Sequence, residues 1–238
     1  MPIYTYDPQF KKRPFYTKHP YMQPFVGENY DSPNHKKLLL VGESHYMPEH
    51  STVHHHVNEW YHGAPVLSIE EQRYCDTAGT RAYKSGRFGE VVEKHLQSVL
   101  PVDGNAWEET ASINYYMRPA DYLENIQKLW KKSSEGDKQT DKEFAIENLL
   151  FVMDVLKPDL MIFLSKQSCV DAETTYKKLF GTELWDWTSS RGIEYIYTYH
   201  PSCPCWHSKM KYWKAKDANE NSLVAKDFFD SWLRDNWI

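Results

Sequence analysis

The chain has 238 residues, enough for one large domain with a substantial core. Apolar residues make up 41 % and charged residues 26 %, an ordinary globular balance. The formal net charge of −5 excludes a global positive field and counts against a tight nonspecific DNA binder, although one face can still carry a local basic patch.

The four cysteines, Cys75, Cys169, Cys203 and Cys205, show no paired framework, which predicts a reducing cytoplasm. The first twelve residues carry no apolar signal segment, and no run of about 18 apolar residues occurs, so the expectation is a soluble protein with no membrane partner. Aromatics are abundant at 15 %, and such rings fill cores, line clefts or stack on bases.

In chain order, residues 1–36 are rich in Pro, Tyr and His and lack helical period, predicting an irregular arm over the domain. Lys36-Lys37-Leu38-Leu39-Leu40-Val41-Gly42 is an apolar run between charge and glycine, the pattern of a buried parallel strand. The segment 43–66 is polar and contains His45, His50, His54, His55, His56 and His62. It reads as a long loop, and consecutive histidines point in different directions, so no metal site is expected there or at Cys203, Cys205 and His207.

Helical spacing of Phe88, Val91, Val92, His95, Leu96 and Val99 predicts a helix over 86–100. Residues 112–116 read as a strand stopping before Pro119, 119–131 as a short helix, and 132–141 as a solvated linker. A helix over 141–157, a strand at Leu160–Leu164, a helix over 166–180 and a strand at 193–199 follow. The last strand runs into His200-Pro201-Ser202, and a C-terminal helix covers 218–235.

Strands alternating with helices predict a single domain over 1–238. Its fold class is α/β, three-layer α/β/α, with a short, mostly parallel four-stranded central sheet. Ligands of such sheets bind beyond the carboxyl ends of the strands. Gly42-Glu43-Ser44-His45-Tyr46, Asn114 and His200-Pro201-Ser202 all fall there. Cleaving a base from deoxyribose needs a donor to the base anion, paired hydrogen bonds to the base edge and a group that orients water. A neutral His200 can donate to a base carbonyl, the Asn114 amide can meet an N–H and a C=O together, and Glu43 can hold a water or stabilise sugar charge.

These segments resemble the uracil-DNA glycosylase superfamily. Leu38 to Tyr46 resembles its first motif, an apolar strand ending in Gly-x-Asp-Pro-Tyr or Gly-Glu-x-Pro-Gly. Ile113-Asn114-Tyr115-Tyr116-Met117-Arg118-Pro119 is similar to the Asn-centred middle motif of the iron–sulfur branch. Pro158 to Leu164 looks like the third strand, and Tyr199-His200-Pro201-Ser202 like the closing His-Pro-Ser.

The resemblance implies a catalytic pair, Glu43 and His200, and a base-binding set of Gly42, Ser44, His45, Tyr46 and Asn114. It implies DNA contacts from Ser202 and from Trp206, wedging into the duplex, and the lysines interleaved with aromatics over 203–216 add Lys209 as a phosphate contact. The partners it implies are a nucleobase and DNA, single-stranded or with a flipped base, bound by a monomer. Ser44 stands where the family usually carries Asp or Asn, and the cysteine spacing predicts no iron–sulfur cluster and no other cofactor. Two other functions fit the same residues. One is a catalytically silent member binding nucleic acid or a nucleotide. The other is a serine hydrolase with Ser44 on a nucleophile elbow.

Overall fold

The computed structural model describes residues 4–77 and 86–238. Its centre is a five-stranded sheet in the order β1-β3-β2-β4-β5. The strands are β1 (Phe25–Val26), β2 (Leu38–Tyr46), β3 (Thr110–Ala120), β4 (Leu160–Phe163) and β5 (Glu194–Tyr197). β1 runs antiparallel to β3, and every other pairing is parallel. The sheet therefore has one strand more than expected. The extra strand is only Phe25 and Val26, too short to show a period, and it lies in the arm expected to be irregular. That arm also forms α1 (Asp7–Phe10) and α2 (Pro14–Lys18), and Phe10, Phe15, Tyr16 and Met22 are buried in the core.

Leu38 to Val41 are apolar without interruption because both faces of β2 are covered. Leu39 and Val41 face one core layer, with α7 (Glu135–Leu156) and α8 (Lys166–Phe180). Leu38 and Leu40 face the other, with α5 (Gly86–Val99) and α10 (Ala225–Asn236). From β2 the chain crosses through α5 to β3 on one side. It then returns through α7 to β4 on the other side and continues through α8 to β5. That reversal puts α5 and α7 on opposite faces, as a constant crossover hand requires. The topological switch point falls between β2 and β4.

Several boundaries differ from expectation. β2 continues past Gly42 to Tyr46, and β3 runs through Pro119 to Ala120. The register slips there, from Ser44 opposite Tyr116 to Tyr46 opposite Ala120, and such an irregularity accommodates a proline without its N–H. The 132–141 segment is no linker. Ser134 caps α7, accepting from the Asp137 N–H at 3.0 Å while Asp137 accepts from the Ser134 N–H at 3.2 Å, so the helix starts on a polar first turn. The helix expected over 119–131 is the single turn α6 (Ile126–Trp130), and α10 begins later than 218 because residues 209–224 form a loop closed by two β-bridges. The 43–66 segment contains α3 (Val57–His62). An unexpected α9 (Leu184–Ser189) precedes β5. α8 matches expectation, with Ser165 at its N-cap and Gly181 at φ 74° closing it in the left-handed conformation.

Candidate functional site at the carboxyl edge of the sheet

β4 and β5 end level with one another and with Val41, in the register Val41 to Phe163 to Tyr197. β2 and β3 run on beyond that level to Tyr46 and Ala120. The outcome is a step at the carboxyl edge, with the β2–β3 ribbon as its wall and the ends of β4 and β5 as its floor. Glu43 stands on the wall at the switch point. Gly42 is paired with Asn114 on β3, and His200 lies three residues beyond the last residue of β5.

The side chains leave this edge from both faces. Glu43 shares the parity of Leu39 and Val41 and points to the α7–α8 side. There it accepts a hydrogen bond from the Ser165 hydroxyl at 2.9 Å, just past β4. Asn114 alternates with Ile113 and Tyr115, which belong to that same layer, so it faces the α5 side and is buried. The His200 ring lies on the α5 side as well, 5.2 Å from the ring of Phe88 in the first turn of α5. The edge thus brings Glu43, Asn114 and His200 to one end of the sheet, with the carboxylate on one face and the amide and imidazole on the other.

Burial raises the Glu43 pKa above the ordinary carboxylate range. The Ser165 hydrogen bond opposes this, and the charge of Asp171 adds to it. Asp171 is a buried node on α8. It accepts from the Tyr116 hydroxyl, from Lys142 Nζ at 2.5 Å and from Gln167 Nε2 at 3.0 Å. At His200, Nδ1 accepts the Ser202 N–H at 3.2 Å. That bond uses the Nδ1 lone pair and so suits the tautomer with its proton on Nε2.

The other expected residues separate. Ser44 lies inside β2 opposite Tyr116, in extended strand and not on a strained strand-to-helix turn, which removes the basis for a nucleophile elbow. His45 is buried with Nε2 3.0 Å from Thr77 Oγ1. Tyr46 is exposed and forms an edge-to-face trio with Tyr74 and Tyr122, centroids 6.0–6.3 Å apart. Tyr74 and Tyr122 line a cavity of about 430 Å³ together with Glu49, His50, Glu70 and Glu71; none of Glu43, Asn114 and His200 lines it.

Trp206 does not project as a wedge. It is 1 % exposed, packs 5.6 Å from Phe229, and directs its indole N–H at His95 Nε2 at 3.4 Å. The exposed ring of that segment is Trp213, 75 % exposed, with Lys214 Nζ 5.4 Å from it and 4.3 Å from Trp185. Lys209, Lys211 and Lys216 are exposed in the same loop, and Ser202 is half-buried. Cys203 and Cys205 are paired as a disulfide, so the expectation of four unpaired thiols fails for these two; Cys75 and Cys169 are buried and free.

Sequence reasoning missed Ser165 and Asp171. Ser165 was within reach of the strand-end argument, because it follows Leu164 at the end of an apolar strand as Glu43 follows Gly42. Asp171 carried no such signal, being one polar residue among many on α8. Compared with known proteins, the chain matches no family model and no curated sequence.

Proposed function

We propose that the protein is a uracil-DNA glycosylase-like enzyme that hydrolyses the N-glycosidic bond of a damaged or deaminated base in DNA. One observation supports this reading: Glu43, a carboxyl group whose pKa burial raises, stands at the topological switch point on the edge that also bears Asn114 and His200 on its other face. In this reading the Asn114 amide meets the base edge with one donor and one acceptor. His200 Nε2–H donates to the base carbonyl as negative charge grows there, and a neutral imidazole does so without the cost of a buried cation. Glu43 holds the attacking water and takes its proton, a task for which a raised pKa is suited. Ser202 and Lys209 meet backbone phosphate, and the exposed Trp213 replaces Trp206 as the ring that meets DNA, stacking on its bases. The sheet is read as that superfamily's fold with β1 added at its edge.

The test is incubation with single- and double-stranded oligonucleotides carrying uracil, hypoxanthine, xanthine or oxidised bases, read by alkaline strand scission. Base release that falls by about 10² or more in Glu43→Gln, Asn114→Ala or His200→Ala, with folding intact, supports the reading. Absence of scission on every substrate, with oligonucleotide binding retained, favours the catalytically silent binder.

A further inference from the structure

His54 and His55 end the 3-10 turn Val53–His55, and Asp121 is the first residue after β3. Both imidazoles aim their Nε2 at the same carboxylate oxygen. His54 Nε2 lies 3.0 Å and His55 Nε2 2.7 Å from Asp121 Oδ1, with ring centroids 4.4 Å apart at 64°. One ligand atom from each residue falls within 4.8 Å of the other two. The expectation that neighbouring histidines diverge fails for this pair, because the tight turn swings both rings to one side.

Three side chains crowd one point with two nitrogens and one oxygen. Zinc takes imidazole nitrogen and carboxylate oxygen at about 2.0–2.2 Å, so its ligand atoms stand about 3.3–3.5 Å from one another in a tetrahedral shell. The His54 contact at 3.0 Å needs to open by about 0.3–0.5 Å and the His55 contact at 2.7 Å by about 0.6–0.8 Å. His54 is fully buried, so its ring is already fixed. Asp121 offers Oδ1 alone, since Lys132 Nζ holds Oδ2 at 2.8 Å. A cavity of about 190 Å³ lined by His55, Lys132 and Asp137 adjoins the cluster and gives room for water in the fourth position.

We propose that His54, His55 and Asp121 form a binding site for a divalent transition metal of the zinc class, tying the loop after β2 to the end of β3. The site stands independently of the glycosylase reading. Two histidines and one carboxylate are a borderline-soft set that selects zinc-like ions over magnesium or calcium. Lys132 works against the ion, because its ammonium competes for the Asp121 charge.

The full chain, dialysed against chelator, is titrated with Zn²⁺ by calorimetry. The proposal requires one site of micromolar or tighter affinity. His55→Ala and Asp121→Asn are each expected to weaken it by about tenfold or more. His56→Ala, an exposed neighbour, leaves it unchanged, and Lys132→Gln tightens it. Circular dichroism confirms the fold of each variant. His55 is itself exposed, so His55→Ala remains informative should Asp121→Asn fail to fold. Loading with Co²⁺ gives visible ligand-field absorption that disappears in His55→Ala. Absence of micromolar zinc binding overturns the site, and so does binding of equal strength in His55→Ala.

Discussion

Ser165, the residue after Leu164 at the end of β4, donates its hydroxyl hydrogen to Glu43 Oε2 at 2.9 Å across the switch point of the sheet. Because the contact joins the two strands at which chain order reverses, it ties the candidate carboxylate to the floor of the step. It also opposes the burial that raises the Glu43 pKa.

Glu43→Gln tests that balance. A carboxyl whose folded pKa is raised favours the protonated form in the folded state. Its contribution to stability is fully present below the unfolded pKa and is lost as pH rises through the folded pKa. Glutamine mimics the protonated acid and keeps an acceptor for Ser165. The variant is therefore expected to melt above the parent protein at neutral pH and to match it in acid, as calorimetric scans across pH will show.

Ser165→Ala removes the hydrogen bond that stabilises the ionised form of Glu43 and holds its pKa down. The Glu43 pKa then rises further, and under the proposed glycosylase reading the acid limb of the rate–pH profile for base release moves to higher pH. A limb that stays in place shows that the carboxyl setting the rate is another one.

Trp206 and Trp213 make opposite predictions although they share one loop. Trp206 is core, and Trp206→Ala should cost about 3–5 kcal/mol in urea unfolding. Trp213→Ala should leave stability nearly untouched and, under the proposed reading, weaken single-stranded DNA binding by about 1–3 kcal/mol, measured by fluorescence anisotropy.

Arg118 and Asp141 link β3 to α7 in a buried ion pair. Arg118 Nε donates to Asp141 Oδ1 at 2.8 Å, and the same carboxylate accepts from Tyr61 Oη and Trp130 Nε1, both at 2.7 Å. Asp141→Ala leaves the guanidinium uncompensated and should cost about 3–5 kcal/mol, against which Arg118→Met with Asp141→Leu should recover much of the loss in denaturant titrations.

β2 and β4 were legible at Leu38–Val41 and Leu160–Leu164, where burial on both sides is met by unbroken apolar runs, whereas β3, buried throughout but interrupted by Asn114 and Arg118, was legible only in part. α8 was legible to the residue because serine and glycine mark its ends. β1 was not, because two residues carry no period. The first turn of α7 was not, because capping by Ser134 and Asp137 uses the same polar residues as a linker. Of the candidate site, Glu43, Asn114 and His200 could be placed at one edge from topology alone. The face each side chain takes depends on strand length, which pattern does not set. Arg118, noted with Pro119 as part of a resemblance, is bound up in the core with Asp141.

The step at the sheet edge owes its existence to unequal strand lengths. Adding residues to β4 and β5 would extend the pairing beside β2 and fill the recess with backbone, whereas shortening β2 would lower the wall and strip Glu43 of its cover. How far neighbouring strands run therefore sets which groups stand at this edge, and insertion or deletion of two residues at a strand end would move Glu43 relative to Ser165 more than most changes of side chain.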